Sequence, residues 1–400
     1  MTRLNKPLLS LFLVSVIDIL GFGILIPLVP YMGVRFNVAA EWITPVMGTY
    51  SLCQLIAAPL WGRLSDRYGR RPILISSLTG ACCSYLILAV ATNVGWLLLS
   101  RILGGLMAGN ISAAFAYASD VSTAQKRAAS LGLIGAAIGI GFTLGPAIGG
   151  VLAGDNVQTA SFALPAAVSA ALSVVAILLV AFLLPESHTA EHRRAAAARV
   201  RVGPLRLLWE RPLLRLIAGA AVLVTCSQSM LDSILGIWAL NKFGFGPRTV
   251  GLLIFCIASL GILVQGAFVR VLVPRLGEPK LAMLGVIAFM TGLLIVAASS
   301  GSAATVAGLA MCGIGIGAFN PSASALASKQ ASNEDRGAVM GTYQSGSSLA
   351  RVIGPFTSGP AYASLGSSAP FIIGACMMVP ALWVLWRFAS TLELDLGLED

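Results

Sequence analysis

Long apolar runs alternate along the chain with short polar or Gly/Pro-rich punctuation. A helix that crosses a bilayer needs roughly 20 mostly apolar residues. Runs of that order lie near 7–30, 43–61, 72–92, 95–119, 129–152 and 161–184. They resume near 213–239, 249–273, 280–298, 303–326, 338–363 and 369–388. The pattern predicts an all-α membrane protein of twelve spans, numbered here in chain order. Six form an N-terminal bundle (1–184), a polar linker follows (185–211), and six form a C-terminal bundle (212–400) that ends in a short tail. The first run lacks a small-residue cleavage site, so it reads as a retained span rather than a signal peptide.

Composition agrees. The chain is 57% hydrophobic and only 10% charged, with a mean hydropathy of +0.88. A soluble domain carries about 25% charged residues, so a cytosolic enzyme, a disordered chain and a secreted disulfide module are excluded. The net charge of +10 would raise nucleic acid as a partner for a soluble protein. Here its source is the enrichment of Lys and Arg in cytoplasmic loops of membrane proteins. With the N-terminus inside, Arg63, Arg67, Arg70, Arg71, Lys126, Arg127, the central cluster Arg193 to Arg215, Arg275, Lys329 and Arg336 share one side. Only Arg35, Lys242 and Arg248 fall on the other. The expectation is a multi-pass protein of the cell inner (plasma) membrane with both termini cytoplasmic and the lipid bilayer, not nucleic acid, as its surroundings. The seven cysteines all lie in apolar stretches without a Cys-x-x-Cys pair, which favours packing over metal or disulfide. His188 and His192 fall in the linker and read as solvated. No phosphate-cradling Gly-x-x-x-x-Gly-Lys-Ser/Thr loop, metal-ligand cluster or nucleophile–base constellation is evident. Neither an enzyme nor a cofactor is expected.

The halves echo each other at an offset of about 210 residues. Gly105 to Ser112, with Asn110, is matched by Gly315 to Ser322, with Asn320. Arg127-Ala-Ala-Ser-Leu-Gly132 is matched by Arg336-Gly-Ala-Val-Met-Gly341, and Gly145-Pro146 by Gly354-Pro355. Asp18-Ile-Leu-Gly21 and Asp232-Ser-Ile-Leu-Gly236 correspond more loosely. Two pseudo-symmetric bundles imply a substrate path between them and alternating exposure to either side.

Gly62-Arg-Leu-Ser-Asp66-Arg67-Tyr-Gly69-Arg70-Arg71, between spans 2 and 3, resembles the loop signature of the major facilitator superfamily. Its glycines permit a tight turn and close helix approach, and Arg70 with Asp120, at the end of span 4, reads as a charged latch. In the second half the counterpart runs from Arg270 to Glu278, keeps Gly277 and loses the aspartate, so a weaker latch is expected there. Span 5 carries Gly132, Gly141, Gly145-Pro146 and Gly149-Gly150, which is similar to the antiporter motif of the drug/proton exchangers. Glycines at four-residue spacing admit a close neighbour, and Pro146 removes a backbone hydrogen bond. Arg101-Ile-Leu-Gly-Gly105 in span 4 is similar to a further motif of the superfamily. Asp18-Ile-Leu-Gly21-Phe-Gly23-Ile-Leu-Ile-Pro27 resembles the tetracycline/proton antiporters. The resemblance spans the whole chain in length and topology and is strongest over residues 10–150. It implies proton-coupled antiport, drug efflux and a monomer.

Four ionisable residues lie within spans: Asp18, Arg101, Asp232 and Arg351. Each costs about 2.5–3.5 kcal/mol at a helix centre on the insertion scale, a cost tolerated beside a cavity, a partner or a substrate. Asp18 and Arg101 are the expected proton-coupling pair. For Asp232 and Arg351 two readings stand open: a structural ion pair with each other, or anchors for a substrate of carboxylate, phosphate or zwitterionic character. Neither matches the tetracycline antiporter pattern. Gln54, Asn110, Gln228, Asn320 and Gln344 are further candidates to line the substrate path. The chain is expected to export a small amphipathic molecule in exchange for protons. Rival expectations are a proton-coupled importer or exporter of a metabolite, lipid or organic anion, and a receptor or scaffold that has kept the fold and lost transport.

Overall fold

The computed structural model describes residues 6–123, 125–187, 204–331 and 335–395. The linker residues His188, His192, Arg193, Arg194, Arg199 and Arg201 lie outside that set. Among the described residues the chain is helical, without a strand. Eleven segments, from Lys6–Arg35 to Ala369–Thr391, are long and apolar enough to cross a membrane. The expected eleventh span is the 30-residue helix Arg336–Leu365. Its serines, glycines and Arg351 leave it less apolar than the rest.

Local sequence explains where helices stop. Span 1 divides into Lys6–Leu25 and Leu28–Arg35 around Pro27. Span 2 (Ala40–Tyr68) ends at Gly69, whose φ of 106° and ψ of 168° suit only glycine, and span 3 (Arg70–Ala89) starts at once. Span 5 (Arg127–Ala153) carries Pro146 inside a continuous helix, and span 6 is Ala163–Leu183. A short helix, Pro204–Glu210, precedes span 7 (Pro212–Phe243). Span 8 begins at Pro247, passes through a π-turn at Val264–Phe268, and is parted from span 9 by Gly277 at φ 74°. Spans 10 and 12 are Ser302–Lys329 and Ala369–Asp395.

Span 4 is the informative exception. It breaks into Val94–Leu106 and Asn110–Asp120. A break inside a membrane frees backbone groups that must be satisfied by protein. Ser77 of span 3 does this: its Oγ accepts the N–H groups of Gly109 (3.1 Å) and Asn110 (3.0 Å) and donates to the Met107 carbonyl. The repeat partner of this region in span 10 stays helical through Asn320-Pro321. Sequence likeness between the halves does not extend to the break.

Packing divides the chain into two units. One comprises Met1–Ala39, Thr49–Val200 and Ala239–Phe255; the other comprises Ala40–Gly48, Arg201–Trp238 and Cys256–Asp400. In the first unit spans 1 and 5 cross on glycine. A Cβ on Gly145 would lie 2.6 Å from the backbone of Gly23, one on Gly141 would meet Ile19 at 2.7 Å, and one on Gly149 would meet the Ile24 carbonyl. In the second unit a Cβ on Gly354 of span 11 would lie within 2.9 Å of Cys226, Ser229 and Met230 of span 7. The Gly-Pro repeats therefore make equivalent crossings. Asp18 precedes its crossing residue Gly23 by five positions, whereas Asp232 follows Met230 by two. The two aspartates are not counterparts.

Candidate functional site

Asp18 is only 6% exposed. Span 1 places it opposite the span 4 break, where the Asn110 side-chain amide donates to Asp18 Oδ2. Asn110 also opens the second half-helix of span 4, whose positive dipole end favours a carboxylate nearby. A small cavity adjoins this pair, lined by Ser15 and by apolar side chains of spans 1, 3, 4 and 5.

Arg101 is 5% exposed. Its guanidinium reaches Ser100 Oγ at 3.4 Å and lies 5.9 Å from the centroid of the Tyr50 ring. Its Nε has no partner. Among the described residues no ion pair joins Arg101 to Asp18; both instead lie within electrostatic range of Tyr50 and Tyr85. The expected coupling pair is thus a shared neighbourhood with two phenols and not a direct ion pair. Tyr50 also packs on Phe22 (4.9 Å between centroids), and Phe22 meets Phe142 edge-on at 5.8 Å. This aromatic wall is absent from the sequence expectations, because nothing in the spacing of 22, 50 and 142 shows that three spans converge.

Asp232 is exposed, although its neighbours from Ser229 to Met230 and from Ser233 to Ala239 are buried. With half-buried Thr225 and Gln228 it forms an open polar stripe along span 7, at helical spacings of three and four. Arg351 is half-buried, and its Nε donates to the Ser347 carbonyl at 3.4 Å. Among the described residues Asp232 and Arg351 form no ion pair, so the structural-pair alternative is not what the fold builds. Gln54, Gln228, Asn320 and Gln344 are half-buried or exposed.

At the end of the molecule bearing the basic loop, Arg70 donates to Asp66 Oδ1 (2.8 Å), to Asp120 Oδ2 (3.0 Å) and to Ser65 Oγ (2.9 Å). Arg71 donates to the Ala181 carbonyl, whereas Arg67 lies over the exposed Tyr68 ring. Glu186, immediately past span 6, accepts the backbone N–H of Arg70 (2.9 Å) and of Arg71 (3.1 Å), capping span 3. Glu186 is a functional candidate that sequence reasoning missed; the signal available was an acid directly after a span. Two motif glycines need correction. A Cβ on Gly62 or Gly132 would meet nothing within 4 Å, so neither makes the close approach expected of it. Gly150 does, against Pro247 and Arg248 of the first unit.

The second half holds a counterpart of this network with its charges exchanged. Gly277 takes the positive φ of Gly69, and Glu278, in the place of Arg70, binds Lys329, in the place of Asp120, at 2.6 Å. Side-chain exposures of 59% for Lys329 and 20% for Glu278, against 9% for Arg70, make it the weaker of the two.

Long apolar helices, two glycine crossings in repeat, and charged groups held inside spans define a multi-pass membrane transporter. The Major Facilitator Superfamily model matches residues 11–277 and 217–395, and the chain belongs to that superfamily. It is 29% identical to the class G tetracycline resistance protein of Vibrio anguillarum, over 98% of this chain and 100% of that one. It is 30% identical to the class B protein of Escherichia coli, over 86% and 85%. Among solved structures, the human organic anion transporter MFSD10 is similar with a TM-score of 0.72 at 23% identity, covering 95% of this chain and 99% of that one.

Proposed function

We propose that this protein is a proton-coupled exporter of a small amphipathic molecule, working by alternating access as a monomer in the inner membrane with both termini cytoplasmic. The six-span halves 1–184 and 212–400 are the bodies that move. One observation carries the proposal: a carboxyl group, Asp18, is buried in span 1 and tied to the N-terminus of a broken helix in span 4. A buried acid with a single amide partner is equipped to gain and lose a proton as its surroundings change. Asp18 carries the proton, and Arg101, through Tyr50 and Tyr85, makes its charge depend on the position of span 4. Phe22, Tyr50 and Phe142 offer an aromatic surface to the substrate, with Gln54 as a hydrogen-bonding candidate in the same unit; Gln228, Asn320 and Gln344 are the polar candidates of the other unit. The Arg70–Asp66–Asp120 network, with Gly69, Arg71 and Glu186, is the latch. The tetracycline and multidrug resistance proteins among the relatives support the export direction.

The test is proton-driven flux in proteoliposomes. Asp18→Asn is expected to abolish the response to an imposed pH gradient while substrate binding and thermal unfolding stay near wild type. Wild-type gradient-driven flux in that variant overturns the proposal.

A second reading, transport of an organic anion, is favoured by Arg351, a half-buried cation on span 11 without an acidic partner among the described residues. Competition between anionic and cationic probes of equal size separates the two.

A further inference from the structure

The cavity beside Asp18 has a composition that asks for an occupant. Ser15, one turn before Asp18 on span 1, lines it, and its Oγ is buried without a hydrogen-bond partner. Asp18 uses Oδ2 toward Asn110, and no described residue bonds its Oδ1. The rest of the lining is aliphatic, from Leu74, Leu78, Ile134 and Ile138 among others. The space suffices for about one water molecule. A buried hydroxyl left without a partner is costly, and a water shared with the Asp18 carboxyl group that lines the same space removes that cost.

We propose that this cavity is a water site, in which one water bridges Ser15 Oγ and Asp18 Oδ1. The inference rests on Asp18 as the proton carrier and adds how the carrier tolerates both of its forms. With Asp18 ionised, the water donates one O–H to Oδ1 and accepts from the Ser15 hydroxyl. With Asp18 protonated on Oδ1, the carboxylic O–H donates to the water, and the water donates to Ser15 Oγ after the hydroxyl rotates. Each state keeps a hydrogen bond on both Asp18 Oδ1 and Ser15 Oγ, and the proton added to the site is the one on Oδ1. Asn110 supports both states by donating to Oδ2. A sodium ion is a poor fit, because hard cations take about six oxygen ligands and the aliphatic lining offers two or three. The groups within electrostatic range of Asp18 are Tyr50 and Tyr85, with Arg101 beyond them.

Infrared difference spectroscopy across a pH titration of the full-length protein tests this. The carboxylic C=O band lost in Asp18→Asn identifies the protonated Asp18. Ser15→Ala is expected to move that band to higher wavenumber, as its hydrogen bond is lost, and to slow proton-coupled exchange about tenfold with KM unchanged, the equivalent of one lost hydrogen bond. Ser15→Thr, which keeps the hydroxyl, is expected to restore both, and so separates this role from a packing effect of the alanine. An Asp18-dependent band that Ser15→Ala leaves in place overturns the water site but not the carrier. Absence of any Asp18-dependent band overturns the carrier itself. A band that responds to sodium chloride against choline chloride at fixed pH assigns the cavity to a cation and overturns the water.

Discussion

Single residues carry the charge logic of this protein. Asp232 and Arg351 stand without an ion-pair partner among the described residues. If they anchor substrate, Asp232→Asn and Arg351→Gln should each raise KM about tenfold, equivalent to about 1.4 kcal/mol of binding, with the maximal rate retained. Asp18→Asn should remove gradient response instead, and the two patterns separate in the same flux assay. Gly69 sits in a backbone region that is nearly glycine-only, beneath the Glu186 carboxylate. Gly69→Ala should therefore cost about 1–3 kcal/mol, read as a lower unfolding temperature in detergent.

At the scale of helices, the span 4 break is the device that matters. It places Asn110 at a helix N-terminus where its amide reaches Asp18. Ser77 keeps the freed N–H groups of Gly109 and Asn110 satisfied. Ser77→Ala leaves the Asn110 N–H without its protein partner and the Gly109 N–H with only the Met107 carbonyl at 2.8 Å, a cost of about 1–3 kcal/mol, and should reduce proton-coupled flux along with thermal stability. The sequence marks Asn110 as a polar residue in an apolar run, but the break itself is not legible there. Asn320 has the same Gly-rich preface and a following proline, yet its helix continues. What differs is the neighbour: Ser77 offers an acceptor and donor to the open backbone. Glycine motifs were partly legible for a similar reason. Spacing shows that a helix can be approached closely, and packing alone chooses which glycines are, so Gly141, Gly145 and Gly149 are used while Gly132 is not.

For the whole molecule, packing units and sequence halves differ. The hairpin around residues 239–255 belongs to the first unit, where Asp155 holds it: the carboxylate accepts the backbone N–H and is bonded by the hydroxyl of Thr249, each at 3.1 Å. Arg248 N–H donates to the Gly154 carbonyl at 3.2 Å, and Tyr31 donates to the Phe245 carbonyl at 2.9 Å. Asp155→Ala should loosen this attachment. Faster amide hydrogen exchange across 244–252 is the expected outcome, with spans 9 and 10 unchanged. The charge-exchanged pair Glu278–Lys329 belongs to the same scale. The second-half loop has Pro274 in the place of Asp66, so that aspartate is lost as expected, while the other ion pair, Arg70–Asp120, is kept with both signs reversed.

The order of apolar runs and the placement of arginines determined the class of this protein from sequence alone, because bilayer thickness sets span length and the cost of charge in lipid makes each buried Asp or Arg conspicuous. Tertiary structure decided the partners. Whether Asp18 meets Arg101 or Asn110, whether Asp232 pairs with Arg351, and which acid caps span 3 all depend on how each helix is rotated and shifted against its neighbours. Those few degrees and ångströms are set by side-chain packing across distant segments, and a linear pattern of residue types contains no record of them.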